Sequence, residues 1–224
     1  MINKIVLTPE RIFLFDIQDK KILLFTRRGK FITDIRPHGR EPGEWLGITD
    51  FTVDETDREI IVTADRPYKF LYYDYNGNFL REKTSEAFYT EITRTTDNIL
   101  AINSKVLEPK HYLSLLNEED HRITVAKKIP LAFTYRGEFR CRGSYLLKSE
   151  HLYFTQNGDY TIYSWDNNRI KPVVTVDFGK YSYNPTQLNE EPHAPATRNK
   201  VLSIINVKEI RSNLFFHTNK IGLF

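Results

Sequence analysis

The sequence predicts an all-β protein, a β-propeller built of four-stranded antiparallel blades. The first supporting observation is an internal repeat. Residues 11–32 align without a gap on residues 59–80, at an offset of 48 residues, with apolar type kept in both strand-like runs. A period of about 40 to 50 residues is typical of propellers and other repeat arrays. The second observation is that each repeat divides into four short apolar runs separated by turn residues, as a propeller blade does.

The second repeat has the clearest strands. Its four runs are residues 48–54, 59–65, 69–74 and 79–83. These runs are too short and too continuous for the 3.6-residue spacing of a helix. Asn76-Gly77 joins the last two runs and is typical of a type I′ hairpin turn, in which both residues have positive φ. Gly29 holds the matching position in the first repeat, so we predict a hairpin role for both glycines.

Weaker copies of the pattern continue to the end of the sequence. The predicted blades cover residues 4–35, 48–83, 88–129, 144–178 and 201–224, about four and a half in all. We therefore predict a single, partial propeller domain over residues 1–224. Because an open array leaves strand edges unpaired, we expect self-association through open blade edges, a gap filled by partner chains, an open arc, or a tight five-unit closure.

Composition excludes several classes of function. The 224 residues are 40% hydrophobic and 13% aromatic, enough for a substantial core. The 32 basic and 29 acidic residues are spread along the chain, which argues against nucleic acid as a partner. Cys141 is the only cysteine, so neither an internal disulfide nor a cysteine zinc site can form. We expect no signal peptide at the start and no membrane span, since no apolar run approaches the required ~18 residues.

A family resemblance is carried by five stretches of the first repeats. They are Phe15-Asp16, Lys21–Phe25, Gly29–Ile32, Gly39–Trp45 and Asp50–Asp54. This series resembles the six-bladed β-propeller proteins of Bacteroidetes, relatives of the NHL-repeat and TolB-like propellers. The resemblance implies six blades in the intact protein, a periplasmic or cell-surface lipoprotein location and no known function. Members are longer, so the chain is expected to be truncated.

Chemical motifs are absent from the sequence. It contains no G-x-S-x-G, H-E-x-x-H, C-x-x-C or P-loop pattern, so we predict no catalytic residues, no metal and no cofactor. His111 and His151 begin strands at related blade positions, which leaves a metal site as a minor alternative. Four aspartates end strands, and we predict that they cap turns rather than act as acid–base pairs. They are Asp16, Asp54, Asp65 and Asp74.

Two classes of function remain. The first is a non-catalytic propeller that binds a protein, a peptide or a carbohydrate at the channel face. Its predicted ligand-binding residues lie in the connector after the first blade: Arg40, Glu41, Glu44 and Trp45. Packing does not obviously require Trp45, whereas we predict that most strand aromatics form core between blades. Those aromatics are Phe13, Phe15, Phe25, Phe31, Tyr72, Tyr73 and Phe79. The alternative is a hydrolase or lyase with residues contributed by several blades.

Overall fold

The computed structural model describes residues 1–36, 39, 41–102, 112–130, 145–156, 158–166, 169–182 and 200–221. The chain forms two compact units, which are described separately. One comprises residues 1–104 and 112–130, and the other residues 105–111 and 131–224. In the described residues the regular structure is β, apart from a short 3-10 turn at Gly179–Tyr181. No helix in these residues is long and apolar enough to cross a membrane.

The first unit holds three four-stranded blades, in which consecutive strands pair antiparallel. The first blade consists of β1 (Ile2–Leu7), β2 (Arg11–Asp16), β3 (Lys21–Thr26) and β4 (Phe31–Ile35). The second consists of β5 (Ile48–Asp54), β6 (Glu59–Asp65), β7 (Tyr68–Asp74) and β8 (Phe79–Ser85). The third consists of β9 (Glu91–Arg94), β10 (Ile99–Ile102), β11 (Tyr112–Glu118) and β12 (Arg122–Pro130). A short parallel pairing between β8 and β12 joins the second and third blades.

The second unit holds one further blade and a long hairpin. The blade consists of β13 (Leu146–Lys148), β14 (Leu152–Gln156), β15 (Asp159–Asp166) and β16 (Arg169–Thr175). The hairpin consists of β17 (Lys200–Ile210) and β18 (Asn213–Ile221). Four-stranded antiparallel blades in an all-β chain confirm the predicted fold class. The single domain over residues 1–224 stays a prediction.

Glycine closes the hairpin between the last two strands of each of the first two blades. Gly29 and Gly77 have φ of 83° and 84°, a region that side chains other than hydrogen disfavour. Each amide donates back into its turn, Gly29 N to Thr26 O at 2.9 Å and Gly77 N to Asp74 O at 3.0 Å. The predicted type I′ turn is wrong in one respect, because Asn76 is not in the positive-φ region. One left-handed glycine followed by a register shift is the pattern of a turn with a bulge.

Three of the four strand-end aspartates cap turns as predicted. Asp16 Oδ1 accepts from the amides of residues 18 and 19, and Asp54 Oδ1 accepts from those of residues 56 and 57. Asp74 Oδ1 likewise accepts from the amides of residues 76 and 78. Asp65 differs, because its Oδ1 is buried without a hydrogen-bond partner in the described residues and lies 3.7 Å from Arg66 Nε. For Asp65 the capping prediction was therefore wrong.

The core between the first and second blades is built from alternating residues of their strands. Phe13, Phe15, Ile22 and Leu24 of the first blade are fully buried. The ring of Phe15 packs edge-on against Phe51 of the second blade, with centroids 6.3 Å apart. Because side chains alternate along a strand, the residues between these four lie on the opposite face of the first blade.

A second core lies between the second and third blades. Ile61, Phe70 and Tyr72 point away from the first blade and pack with residues of the third, among them Ile92 and Leu116. Both faces of the second blade are therefore covered, which explains why its strands read as nearly continuous apolar runs. Among the strand aromatics, Phe13, Phe15, Tyr72 and Tyr73 are core residues as predicted, whereas Phe31 and Phe79 are exposed.

A buried ion pair links the first strands of the three blades. Lys4 Nζ on β1 lies 2.8 Å from Asp50 Oδ2 on β5, and their side chains are 6% and 3% exposed. Lys4 Nζ also donates to the carbonyl of Ile92 on β9 at 3.1 Å, and the amide of Ile92 donates to Asp50 Oδ2 at 2.8 Å. Burial raises the pKa of Asp50, against the opposing effect of Lys4. The cluster fixes the three strands relative to one another because each polar group in it has a partner.

Candidate functional site

The predicted ligand-binding connector leads from the first blade to the second. Arg40 lies outside the described residues. Glu44 folds back on the turn, since its amide donates to Glu41 O at 2.9 Å and its Oε2 accepts from the amide of Glu41 at 3.0 Å. Gly43 supports this turn with a φ of 83°. Glu41 is exposed and Glu44 is half-buried. Their role in ligand binding stays a prediction.

Trp45 is a core residue. Its side chain is 1% exposed and packs edge-on against Tyr73, with ring centroids 6.0 Å apart. The hydroxyl of Tyr73 donates to the carbonyl of Gly43 at 2.8 Å, so Tyr73 contacts the connector through both its ring and its hydroxyl. The interpretation that packing does not require Trp45 is therefore corrected. A tryptophan buried to this extent stabilises the connector against the second blade.

Glu82 on β8 fastens the connector to the second blade. Its Oε2 accepts from the amide of Gly43 at 2.9 Å and from Lys69 Nζ at 2.8 Å. Burial acts to raise the pKa of Glu82, but these hydrogen bonds and the charge of Lys69 outweigh it and lower the pKa below the ordinary value. The side chain therefore stays ionised at neutral pH and holds the connector through a charge-assisted hydrogen bond.

A cleft of about 430 Å³ opens at the other end of β5, between the second and third blades. We call it the charged cleft. Its carboxylates are Asp54, Asp57, Glu59, Asp97, Glu118 and Glu119, and its guanidiniums are Arg81 and Arg94. Lys83, 3.5 Å from Glu118, and Arg122, 2.6 Å from Glu119, lie beside the lining, and counting them leaves two more negative than positive charges. β5 is seven residues long, so the charged cleft and the connector lie about 20 Å apart at ~3.3 Å per residue. They are two separate surfaces.

Arg94 organises one side of the charged cleft. Its Nε donates to Asp54 Oδ2 and its Nη1 to Glu118 Oε1, both at 2.7 Å. Its backbone amide donates to Thr52 Oγ1 at 2.9 Å. Arg94 thus joins β5 of the second blade to β9 and β11 of the third, and the planar guanidinium holds two carboxylates in fixed positions.

Arg81 organises the other side. Its two terminal nitrogens donate to the two carboxylate oxygens of Glu59, and this hydrogen bonding raises the pKa of Arg81. The guanidinium carbon lies 4.1 Å from the centre of the Tyr72 ring, in cation–π geometry. The Tyr72 hydroxyl donates to Glu118 Oε2 at 2.6 Å. Burial, and then Glu118, raise the pKa of Tyr72, so this hydroxyl remains a hydrogen-bond donor.

The remaining carboxylates of the charged cleft are differently placed. Glu119 is held by Arg122 Nε at 2.6 Å and Thr124 Oγ1 at 3.1 Å. Asp57 and Asp97 lie in the turns that follow β5 and β9, and both are exposed. In the part of the chain that the structure describes, neither has an ion-pair partner. Two carboxylates of the charged cleft are therefore available to a cationic group of a ligand.

The charged cleft was not predicted from the sequence. The sequence predicts only a capping role for Asp54. It predicts no role for Arg94 or Glu118, because neither belongs to a motif. Their approach depends on how two blades face each other, which no local spacing encodes. The turns that follow β5 and β9 both contain polar residues, and this recurrence is a weak indication of the cleft in the sequence.

The structure provides no support for the metal alternative in the residues it describes. No group of three or more His, Cys, Asp or Glu side chains there could hold a metal ion. His111 lies outside the described residues. His151 is exposed, and its Nδ1 lies 2.7 Å from Glu209 Oε2, which also accepts from the Tyr153 hydroxyl at 3.0 Å. This contact joins the blade of the second unit to β17.

Comparison with solved structures supports the fold. A protein described as exported, from Bacteroides fragilis NCTC 9343, is 18% identical with a TM-score of 0.70, and the match covers 96% of this chain and 64% of that one. A protein of unknown function from Bacteroides caccae is 11% identical with a TM-score of 0.53, covering 94% and 67%. The RRP9 WD40 repeats are 14% identical with a TM-score of 0.50, covering 76% and 50%. WD40 repeats form propellers.

The chain spans less than two thirds of the length of the Bacteroides fragilis protein. Two further comparisons concern the sequence. No protein of curated function matches it. The family model described as Domain of unknown function (DUF4934) matches residues 1–224. The β-propeller resemblance is thereby supported, and the chain belongs to the DUF4934 family.

Proposed function

We propose that this protein is a non-catalytic binding propeller whose charged cleft holds a basic side chain of a peptide or protein ligand. The observation that carries the proposal is the pair of exposed carboxylates, Asp57 and Asp97, beside an ion-pair network that is already complete. Because Arg81 and Arg94 are engaged by the cleft's own carboxylates, a ligand meets a prearranged site with excess negative charge. Such a site attracts and orients a cation.

The lining favours a peptide over a carbohydrate. None of the described residues that line the charged cleft is aromatic, and the nearby Tyr72 ring is covered by Arg81. A sugar ring would therefore find no flat apolar surface on which to pack. A lysine or arginine side chain would instead meet the carboxylates of Asp57 and Asp97 and the side-chain amides of Asn98 and Asn117, all of which line the cleft.

The hydrolase or lyase alternative gains no support from this site. Asp54, Glu59 and Glu118 are each held by arginine, and Glu118 also accepts from Tyr72. These hydrogen bonds hold the three carboxylates against the chain's own cationic and hydroxyl groups, which leaves less of each carboxylate available to contact a substrate. The chemistry of the cleft is therefore electrostatic binding.

The experiment measures peptide binding by fluorescence anisotropy with labelled peptide pools that differ only in the sign of their side-chain charge. We expect the basic pool to bind and binding to weaken as salt is raised. Asp57→Asn should weaken binding about tenfold, the effect of losing ~1.4 kcal/mol. Glu55→Gln is the matched control, because Glu55 lies in the same turn and is exposed but does not line the cleft.

Two outcomes would contradict the proposal. One is equal binding of acidic and basic pools, and the other is an equal loss of affinity in the Asp57 and Glu55 variants. Selective loss on changing Glu41 or Glu44 instead would move the site to the connector. Binding of an oligosaccharide array in place of peptides would establish the carbohydrate ligand.

We also propose that the intact protein is a six-bladed propeller of the NHL-like type that acts outside the cytoplasm. The first of these rests on the family resemblance, and the second on the similarity to a Bacteroides protein described as exported. Protease treatment of intact cells that express the full gene should degrade the protein if it lies at the cell surface. Protection until the inner membrane is broken would indicate the cytoplasm instead.

A further inference from the structure

The end of the first blade that carries its β1–β2 and β3–β4 turns is strongly basic. Residues 8–11 and 26–30 contain four cationic side chains and one carboxylate. The cations are Arg11, Arg27, Arg28 and Lys30, and we call them the basic patch. Among the residues that the structure describes, none of the four lies within ion-pair distance of a carboxylate. The basic patch therefore carries positive charge that this part of the chain does not neutralise.

Arg11 stands where the second blade has an ion pair. It begins β2, and its counterpart at the offset of 48 residues is Glu59, which begins β6. Glu59 is bound on both carboxylate oxygens by Arg81 of β8. The counterpart of Arg81 on β4 is Thr33, which is uncharged. The first blade thus reverses the charge at the start of its second strand and supplies no partner on its fourth.

Local contacts place the Arg11 guanidinium beside the β3–β4 turn. Its Nη1 lies 3.4 Å from the carbonyl oxygen of Glu10, which also accepts from the amide of Arg27 at 3.1 Å. Its Nε is buried without a hydrogen-bond partner in the described residues. A guanidinium has several N–H donors, and a buried donor without an acceptor is costly. Arg11 therefore retains hydrogen-bonding capacity that its own chain does not use.

The other three cations lie on a closed turn. Arg27, Arg28 and Lys30 are exposed. The amide of Thr26 donates to the carbonyl of Lys30 at 2.8 Å, and the carbonyl of Thr26 accepts from the amide of Gly29 at 2.9 Å. Thr26 Oγ1 also accepts from the amide of Lys30 at 3.1 Å. A ligand thus meets charges on a backbone that is already ordered, which lowers the entropic cost of binding.

An ion pair joins the basic patch to the charged cleft. Glu10, the residue before Arg11, places its Oε2 2.6 Å from Nη2 of Arg58. Arg58 follows Asp57, which lines the charged cleft. A positive and a negative surface therefore lie side by side at one end of the first unit. Neighbouring sheets pack ~10 Å apart, so the patch on the first blade and the cleft beyond the second are roughly 15 Å apart.

We propose that the basic patch binds an acidic group of the same peptide or protein ligand whose basic side chain enters the charged cleft. This inference rests on the proposed function of the cleft. Guanidiniums suit carboxylates because their N–H groups can donate two parallel hydrogen bonds. An extended peptide covers the separation with about five residues, which sets the spacing of acidic and basic residues in the ligand. The acidic cleft alongside disfavours nucleic acid, because it repels a continuous phosphate backbone.

The test measures fluorescence anisotropy of three labelled glycine–serine peptides with the full chain. The first peptide carries a lysine pair, the second adds a glutamate pair about five residues away on either side, and the third places the glutamates directly beside the lysines. We expect the second peptide to bind about tenfold more tightly than the first, although glutamates weaken the general attraction to an acidic cleft. The third peptide should show no such gain, since it cannot reach both surfaces.

Substitutions in the basic patch should remove the gain. Arg28→Gln should bring the affinity for the second peptide close to that for the first, and the turn should stay folded because its hydrogen bonds come from Thr26 and the backbone. Arg11→Gln should have the same effect. Arg66→Gln is the matched control, since Arg66 is also an exposed arginine but lies in the turn between β6 and β7, at the opposite end of the second blade.

The outcomes separate the two proposals. If the first peptide does not bind, the proposed function of the cleft is overturned, and this inference with it. If the first peptide binds and the second binds no more tightly, the cleft stands and this inference alone is overturned. An equal gain from the second and third peptides, or an undiminished gain in the Arg28→Gln chain, would overturn it as well. A labelled oligonucleotide that binds more tightly than the second peptide and depends on Arg28 would assign the basic patch to nucleic acid instead.

Discussion

The first joint, the contact between the first and second blades, and the second joint, the contact between the second and third blades, both bury apolar side chains but differ in their polar groups. Between the first and second blades the polar groups are few and sealed, as in the Tyr73–Gly43 hydrogen bond and in the Lys4–Asp50 pair, which also bonds to Ile92 of the third blade. Between the second and third blades an apolar core is bordered by the charged cleft, where arginines hold carboxylates whose side chains are 8% to 20% exposed. The first joint is suited to rigidity, and the second leaves charges where a ligand can reach them.

The largest effect expected from this comparison is at Asp50. Asp50→Ala leaves the Lys4 ammonium and the amide of Ile92 without their acceptor in a site closed to water. We expect a loss of about 4 kcal/mol in the free energy of unfolding, measured by urea denaturation. Asp19→Ala is the control and should change little, because Asp19 is exposed and forms a surface pair with Lys21.

A double substitution sharpens the same prediction. Lys4→Met combined with Asp50→Leu removes both charges, so it should cost less than Asp50→Ala alone, since an uncompensated buried charge is the expensive state. If the double variant is the less stable of the two, the pair is itself strongly stabilising. That result would contradict the view that the first joint depends chiefly on its apolar contacts.

At the second joint the corresponding change is Arg94→Ala. It releases Asp54 and Glu118, whose side chains are 8% and 20% exposed against 3% for Asp50, so water reaches them more readily once the arginine is gone. We therefore expect a smaller loss, about 2 kcal/mol by the same measurement. Arg36→Ala is the control, because Arg36 forms an exposed pair with Asp34 that should contribute less than ~1 kcal/mol. If Arg94→Ala and Asp50→Ala lower the free energy of unfolding equally, the two joints do not differ in this respect.

Contacts between residues that are close in the sequence were predicted, whereas contacts between residues far apart were not. The hairpin glycines and the capping role of Asp16, Asp54 and Asp74 follow from contacts within a few residues, so local patterns predicted them. Trp45 was misjudged because the residue that buries it, Tyr73, lies 28 positions along the chain. No local sequence pattern predicts the charged cleft, since Arg94 and Asp54 are 40 positions apart in the sequence.

Each residue of the first blade has a counterpart in the second, so equivalent positions of the two blades can be compared directly. Asp65 marks the limit of this reasoning. It matches the other strand-end aspartates by position, yet its carboxylate lies 2.1 Å from where a side chain on Gly47 would begin. Its surroundings, rather than its place at a strand end, determine its contacts.

The smallest expected effect is a pH dependence at the first joint. The pKa of Glu82 is lower in the folded protein than its ordinary value of 4.5, so its ionised form is the one that folding favours. Its contribution to stability is therefore complete above about pH 4.5 and is lost as the pH falls through the folded pKa. Protonation removes the charge that holds Lys69 and weakens the bond to the Gly43 amide.

Glu82→Gln tests this assignment against the wild-type chain. The substituted amide would keep an acceptor for Gly43 but cannot titrate, so the variant should lose less stability between pH 5 and pH 3 than the wild type does. Urea midpoints at both pH values measure the difference, and Glu55→Gln serves as a control at an exposed position. Equal acid sensitivity of the Glu82 variant and the wild type would mean that other carboxylates govern the acid response. The connector would then depend chiefly on the packing of Trp45 against Tyr73 and on the hydrogen bond from the Tyr73 hydroxyl to Gly43, neither of which titrates in this range.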